Sequence, residues 1–142
     1  TIMGKVQILA VLTMDGCLSS ELYDKAHQDL CLDRCGLDEI RKKAFYRVTP
    51  DYSISMLHEW RKDCTNIRYL AEATPDTADY INGLLRMHAV DEIILYTVPF
   101  ISGSGRHFFK SALPEQHWTL SSLKSYPNGV CRIIYILDKK AR

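Results

Sequence analysis

Three side chains that can bind metal, His27, Cys31 and Cys35, recur every four residues in a stretch with helical spacing. Imidazole and thiolate both suit zinc. A helix rises about 1.5 Å per residue, so about 12 Å separates His27 from Cys35 and one ion cannot take all three. These are expected to be structural or surface residues, and no metal is expected. Asp15-Gly16 closes an apolar run and reads first as a turn that ends a strand. Gly103-Ser104-Gly105 gives a permissive backbone but is too short for a phosphate cradle. There is no Walker loop, no G-x-G-x-x-G after a strand, no H-E-x-x-H and no nucleophile elbow. His58, His88, His107 and His117 have no partner that spacing can assign. No catalytic acid–base pair is identified, so the catalytic residues are unknown at this stage.

The elements that must position any site are clearer. Ile93, Ile94 and Leu95 are consecutive apolar residues, followed by Val98 and Phe100. A strand with one wet face alternates, and this one barely does, so a central strand covered on both sides is expected. Pro99 cannot donate to a ladder, and pairing should weaken there. Lys5–Thr13 reads as a second buried strand. Ser19 or Ser20 can cap a helix that runs to about Cys35, with Gly36 ending it. Leu37–Lys43 is a charged helical piece, and Ala44–Val48 a short strand. Thr49-Pro50-Asp51 and Thr74-Pro75-Asp76 each combine an N-cap, a proline suited to the first helical position and a carboxylate near the positive dipole end. The helices they open carry Ser53, Met56, Leu57 and Trp60, and then Ala78, Ile81, Leu84 or Leu85 and His88. Asn66–Ala71 lies between them. Tyr126-Pro127-Asn128-Gly129 is a strong turn signal joining His117–Leu123 to Val130–Leu137 as an antiparallel hairpin.

At 142 residues, one domain over 1–142 is expected, long enough to bury about two thirds of its unfolded surface. A net charge of +1 gives no field to steer nucleic acid, and no run approaches the roughly 18 apolar residues of a membrane span. The basic tail Lys139-Lys140-Ala141-Arg142 reads as a solvated end. No charged-then-apolar signal pattern opens the sequence. Five cysteines without a Cys-x-x-Cys pair suit free thiols in a reducing cytoplasm.

Val90-Asp91-Glu92, an apolar strand, Pro99, Gly103-Ser104-Gly105 and Phe108-Phe109 resemble the closing half of the dihydrofolate-reductase-like superfamily. The similarity is nearest to the C-terminal reductase domain of riboflavin biosynthesis and its stand-alone relatives. There the segment runs L-V-D-E, strand, V-P, an apolar pair, G-x-G, L-F. The family opens with an apolar strand and S-L-D-G, where this chain has Thr13-Met14-Asp15-Gly16. The resemblance covers most of the chain in order and is close over Ala89–Phe109. It implies a three-layer αβα domain with a mixed sheet, helices on both faces and a C-terminal antiparallel hairpin.

It further implies an NADPH-dependent reductase acting on a pteridine or pyrimidine-type substrate, working as a homodimer. Asp15 would touch substrate. Arg47 and Thr49 keep the spacing of a family G-R-x-T that faces the cofactor phosphates, and Thr77 and Ala78 would border the dinucleotide. Three features depart from the pattern. Tyr46 replaces the glycine of G-R-x-T, which would obstruct a ligand. The chain is shortened by about one strand after Trp60. The family's paired-glycine turn falls on Asp76-Thr77, where a carboxylate would satisfy the helix-start N–H groups and repel phosphate by about 1 kcal/mol in water at 4 Å. A non-catalytic relative that has lost the dinucleotide site, serving as a binding or oligomeric module, is the alternative reading.

Overall fold

A computed structural model describes residues 4–18, 32–63, 67–101, 103, 107–110 and 112–138. Its elements are β1 (Lys5–Leu12), a 3-10 turn (Leu32–Cys35), α1 (Leu37–Lys43), β2 (Tyr46–Arg47), α2 (Ile54–Asp63), β3 (Arg68–Glu72), α3 (Ala78–Arg86), β4 (Glu92–Thr97), β5 (Trp118–Ser125) and β6 (Cys131–Leu137). They form a six-stranded sheet in the order β2-β3-β1-β4-β6-β5. β1 is parallel to β3 on one edge and to β4 on the other, and β2 is parallel to β3. β6 runs antiparallel to both β4 and β5, so the chain closes in the expected hairpin.

Alternation along β1 feeds two cores. Val6, Ile8, Ala10 and Leu12 face α2 and α3, joining Leu57, Tyr69, Ile81, Leu84, Ile93 and Phe108. Leu9 and Val11 face the 3-10 turn and α1, joining Leu32, Leu37, Leu70, Ile94 and Tyr96. β4 divides its side chains the same way, which accounts for its unbroken apolar run. Its ladder stops at Thr97, and Val98 still donates to Leu12 O before Pro99.

Local signals misplace several boundaries. The α2 start is not at Thr49: Thr49–Tyr52 closes a turn, and Ser53 Oγ accepts the Met56 N–H at 3.1 Å, so the helix begins at Ile54. α3 likewise begins at Ala78, after a Thr74–Thr77 turn. It ends at Arg86, and His88 adopts φ 55°, outside the helix although its spacing continues the helical pattern. β2 is two residues long rather than five. Most of the helix expected from Ser19 or Ser20, with His27 and Cys31, lies outside the described residues, as do Asn66, Ser104, Gly105 and the basic tail. Among the described residues no group of three metal-binding side chains forms, and no helix is long and apolar enough to cross a membrane.

At the amino ends of the parallel strands a buried ion pair ties α2 to the sheet. Arg61 Nη1 donates to Asp91 Oδ1 at 3.2 Å, and Asp91 Oδ2 accepts the Val6 N–H at 2.9 Å. Arg61 Nη2 contacts His58 Nδ1 at 3.2 Å, while His58 Nε2 lies 2.8 Å from Met87 O. That arrangement holds His58 with its proton on Nε2. Removing one partner of such a pair strands a charge away from water. Asp91→Ala should therefore cost about 3–5 kcal/mol in urea unfolding; a loss below about 1 kcal/mol would mean that the pair behaves as a solvated one.

On the other face, the fully buried Tyr96 hydroxyl donates to Cys35 O at 2.8 Å. Burial pushes its pKa from 10.0 up to about 12, helped by neighbouring Tyr126 and opposed by Arg132. Folding thus favours the neutral phenol. The stability this supplies is intact below pH 10 and is lost as pH rises toward 12. Equilibrium unfolding across that window should show a decline that Tyr96→Phe flattens; an unchanged slope would contradict the assignment.

Candidate functional site

Parallel topology selects one end of the sheet. After β1 the chain passes through α1 on one face to reach β2 at the edge. After β3 it passes through α3 on the other face to reach β4 beyond β1. Adjacent strands β1 and β3 therefore send their connections to opposite sides. In open α/β sheets, the crevice outside the carboxyl ends at such a switch point is where ligands bind. Thr13–Gly16 leaves β1 there, and Ala73–Thr77 leaves β3 there.

The β1 corner is built around Asp15. Oδ1 accepts a short hydrogen bond from Thr13 Oγ1, and Oδ2 accepts the Gly103 N–H at 2.9 Å. Gly103 has φ 73°, a conformation that glycine adopts freely. Met14 N donates to Phe100 O at 2.7 Å, and Phe108 N to Gly16 O at 3.1 Å. The segment after β4 is thus laced to the corner after β1. Cys17 Sγ lies 3.9 Å from His107 Nδ1 in the same lacing.

The β3 corner is a threonine knot. Thr77 Oγ1 donates to Glu72 O at 2.8 Å and accepts the Thr74 N–H at 2.8 Å. Thr74 Oγ1 accepts the Thr77 N–H at 3.2 Å. Ala78 is buried at the first turn of α3. The Thr74 carbonyl accepts the Ala78 N–H at 2.9 Å at the helix start, and the Asp76 side chain stands exposed on the turn with no hydrogen bond to a described residue. The expectation that Asp76 satisfies the helix-start N–H groups is therefore corrected.

Glu72 also gathers cations. Arg41 Nη2 of α1 and Arg47 Nη1 of β2 reach its two carboxylate oxygens, at 2.5 and 3.4 Å. Arg47 remains 57% exposed, so its pair is weak. Tyr46, next to Arg47 on β2, points to the opposite face. Its ring stacks on Tyr69 at 5.5 Å between centroids and tilts over Trp60 at 6.4 Å. It packs against α2 and does not stand over Arg47. Thr49 follows β2 in the exposed turn, its carbonyl accepting the Tyr52 N–H at 3.0 Å.

The structure therefore puts Asp15 at the exit of β1, Thr77 and Ala78 at the exit of β3, and Arg47 and Thr49 at the exit of edge strand β2, all at the carboxyl end of the sheet. Sequence reading missed Glu72 and Arg41. Their partners lie 25 and 31 residues apart along the chain, beyond any local pattern. It also missed Asn82, fully buried in α3, whose Nδ2 donates to Phe108 O and whose Oδ1 accepts the Lys110 N–H. That amide fastens the post-β4 segment onto the core.

The sequence matches no family model and no curated protein. Solved structures do match in fold. One is a protein from Shewanella sp. PV-4 assigned to riboflavin biosynthesis, with 10% identity over 95% of this chain and 99% of the other and a TM-score of 0.62. Another is dihydrofolate reductase from Enterococcus faecalis in complex with NADP(H), with 11% identity, 97% and 99% coverage and a TM-score of 0.56. A third is Acinetobacter baumannii RibD, with 12% identity, 96% of this chain and a TM-score of 0.51; this chain spans 58% of that protein. The fold is dihydrofolate-reductase-like, an α/β domain with a mixed sheet. Identities of 10–12% establish the fold alone.

The threonine knot sets the geometry of the β3 corner. Thr77→Val keeps the side-chain shape and removes its hydroxyl, leaving the Thr74 N–H without that acceptor. It should cost about 1–2 kcal/mol, read as a lowered urea midpoint at unchanged m-value. A neutral effect would mean that solvent replaces the bond.

Proposed function

We propose that the chain is an NADPH-dependent reductase that delivers hydride to a pteridine or pyrimidine-type substrate. The observation that carries this reading is the topological switch point between β1 and β3, with Asp15 at one exit and the Arg47, Thr49 and Thr77 group beside the other. The fold shared with a dihydrofolate reductase crystallised with NADP(H) supports it. The donor set fits the cofactor. Arg47, 57% exposed beside the Glu72 carboxylate, offers its guanidinium where phosphate would lie. Tyr46 is turned to the other face, stacked on Tyr69, and does not cover Arg47.

In this reading Arg47 and Thr49 hold cofactor phosphate, and Thr77 and Ala78 border the dinucleotide. NADPH, when bound, supplies the hydride. The chain's own contribution is position: hydride transfer rewards holding the reacting partners in register more than it needs side-chain acids. Asp15, fixed through Thr13 and Gly103, would present its carboxylate edge to a substrate N–H. The exposed side chains of Leu120 and Leu123 on edge strand β5 support a homodimer as part of the proposal. Free Cys17, Cys35 and Cys131 support a cytoplasmic setting.

A second reading rests on one observation. The Asp76 carboxylate stands exposed on the turn that opens α3, where it would repel phosphate. A relative that has lost the dinucleotide site and acts as a binding or oligomeric module would carry such a change. Thermal shift with NADPH separates the two. At about 100 times its Kd the cofactor should stabilise the fold by roughly 2.7 kcal/mol. No shift in the wild type, with a shift restored in Asp76→Gly, would favour the second reading; no shift in either would remove the reductase.

A further inference from the structure

At the opposite end of the sheet, under α1, lies a cavity of about 200 Å³. Its polar lining is Gln7 of β1, Glu39 and Lys43 of α1, Arg68 of β3, Glu92 of β4 and Arg132 of β6. Register explains the grouping: Gln7 pairs with Glu92, and Lys5, two residues earlier, pairs with Arg68. Gln7, Arg68 and Glu92 lie at the amino ends of the parallel strands, while Arg132 enters from β6 opposite Tyr96; none of the lining residues belongs to the Asp15 or Thr77 corners.

Two features set it apart from an ordinary charged surface. First, none of its five charged side chains forms an ion pair within 4.0 Å with a described residue, although both signs line the same small space. Second, Gln7 is only 4% exposed, and its side-chain amide hydrogen-bonds to no described residue. The costly group is Arg132 Nε, which is buried and hydrogen-bonds to no described residue, so something in the cavity must satisfy it. Gln7 is the one buried polar residue of β1, on the face that Leu9 and Val11 fill with hydrocarbon.

The geometry points to a binding site for a small acidic zwitterion, of the class of free glutamate or aspartate. Three cations and two carboxylates leave the site at +1. A ligand with two carboxylates and one ammonium carries −1 and answers both signs. Arg68, Arg132 and Lys43 would take the carboxylates, where the arginine fork pairs two oxygens at once. Glu39 and Glu92 would take the ammonium, and Gln7, which both donates and accepts, would bridge them. Ile94 and Ile134 give an apolar wall for the ligand's methylene groups. The volume lies below the roughly 300–1,000 Å³ of drug-sized pockets, which suits a metabolite this small.

Equilibrium dialysis of the intact chain with labelled L-glutamate, and separately L-aspartate, tests this. Saturable retention of at least one is expected, and added NADPH should leave it unchanged. Arg68→Gln and Lys43→Gln, both on the cavity rim, should each weaken retention about tenfold or more, as should Gln7→Leu. Lys43 sits exposed at the end of α1, so its variant keeps the test valid if the buried Gln7 change unfolds the chain. Glutarate, which lacks the ammonium, should bind about tenfold more weakly than glutamate. No retention at about 10 mM, above the roughly 1 mM upper end of usual metabolite affinities, would overturn the proposal. So would glutarate binding as tightly as glutamate, which would mark a simple anion site.

Discussion

A parallel strand cannot be joined to its neighbour by a tight turn. β1 is hydrogen-bonded along both edges to parallel strands, β3 and β4, so both connections must cross the sheet. Those crossings place α1 on one face and α2 and α3 on the other. They bury β1 almost completely: seven of its eight residues are below the surface. They also force the exits of β1 and β3 apart at their carboxyl ends. The switch point is a consequence of that constraint, and its residues need only be the ones that happen to follow each strand.

The two ends of the sheet are finished differently. At the amino end the Arg61–Asp91 pair and the Val6 N–H lock α2 to the strands. At the carboxyl end the locks are hydroxyls and backbone groups: Thr13 on Asp15, Gly103 on Asp15, and the Thr74–Thr77 pair. The amino end is thus held by a desolvated charge pair, strong only while both partners remain. The carboxyl end is held by polar atoms already close to where a ligand would sit. Glu72 joins scaffold to site, because its carbonyl fixes Thr77 while its carboxylate gathers Arg41 and Arg47.

The sheet was legible in the sequence because apolar runs record burial directly. Ile93-Ile94-Leu95 announced a strand covered on both sides, and Asn128-Gly129 announced the turn before β6, where Gly129 takes φ 91°. Helix starts were less legible. Thr49 and Thr74 each sit in a cap pattern, yet each opens a turn and the helix waits for Ser53 or Ala78. A Thr-Pro-Asp tripeptide suits a turn as well as a helix start. The direction of Tyr46 was not legible either. Its partner Tyr69 is far away in sequence, and only strand register decides that Tyr46 packs on Trp60 while Arg47 turns to Glu72. Gln7 escaped notice because one polar residue in an apolar run reads as noise until its register with Glu92 is known.

Under the proposed function, the carboxyl ends of β1 and β3 hold the dinucleotide. Amide chemical-shift mapping of the labelled chain during NADPH titration tests it most directly. Progressive shifts confined to residues 13–16, 47–49 and 72–78 are expected. Shifts centred instead on Gln7, Arg68 and Glu92, at the other end of the same strands, would contradict it.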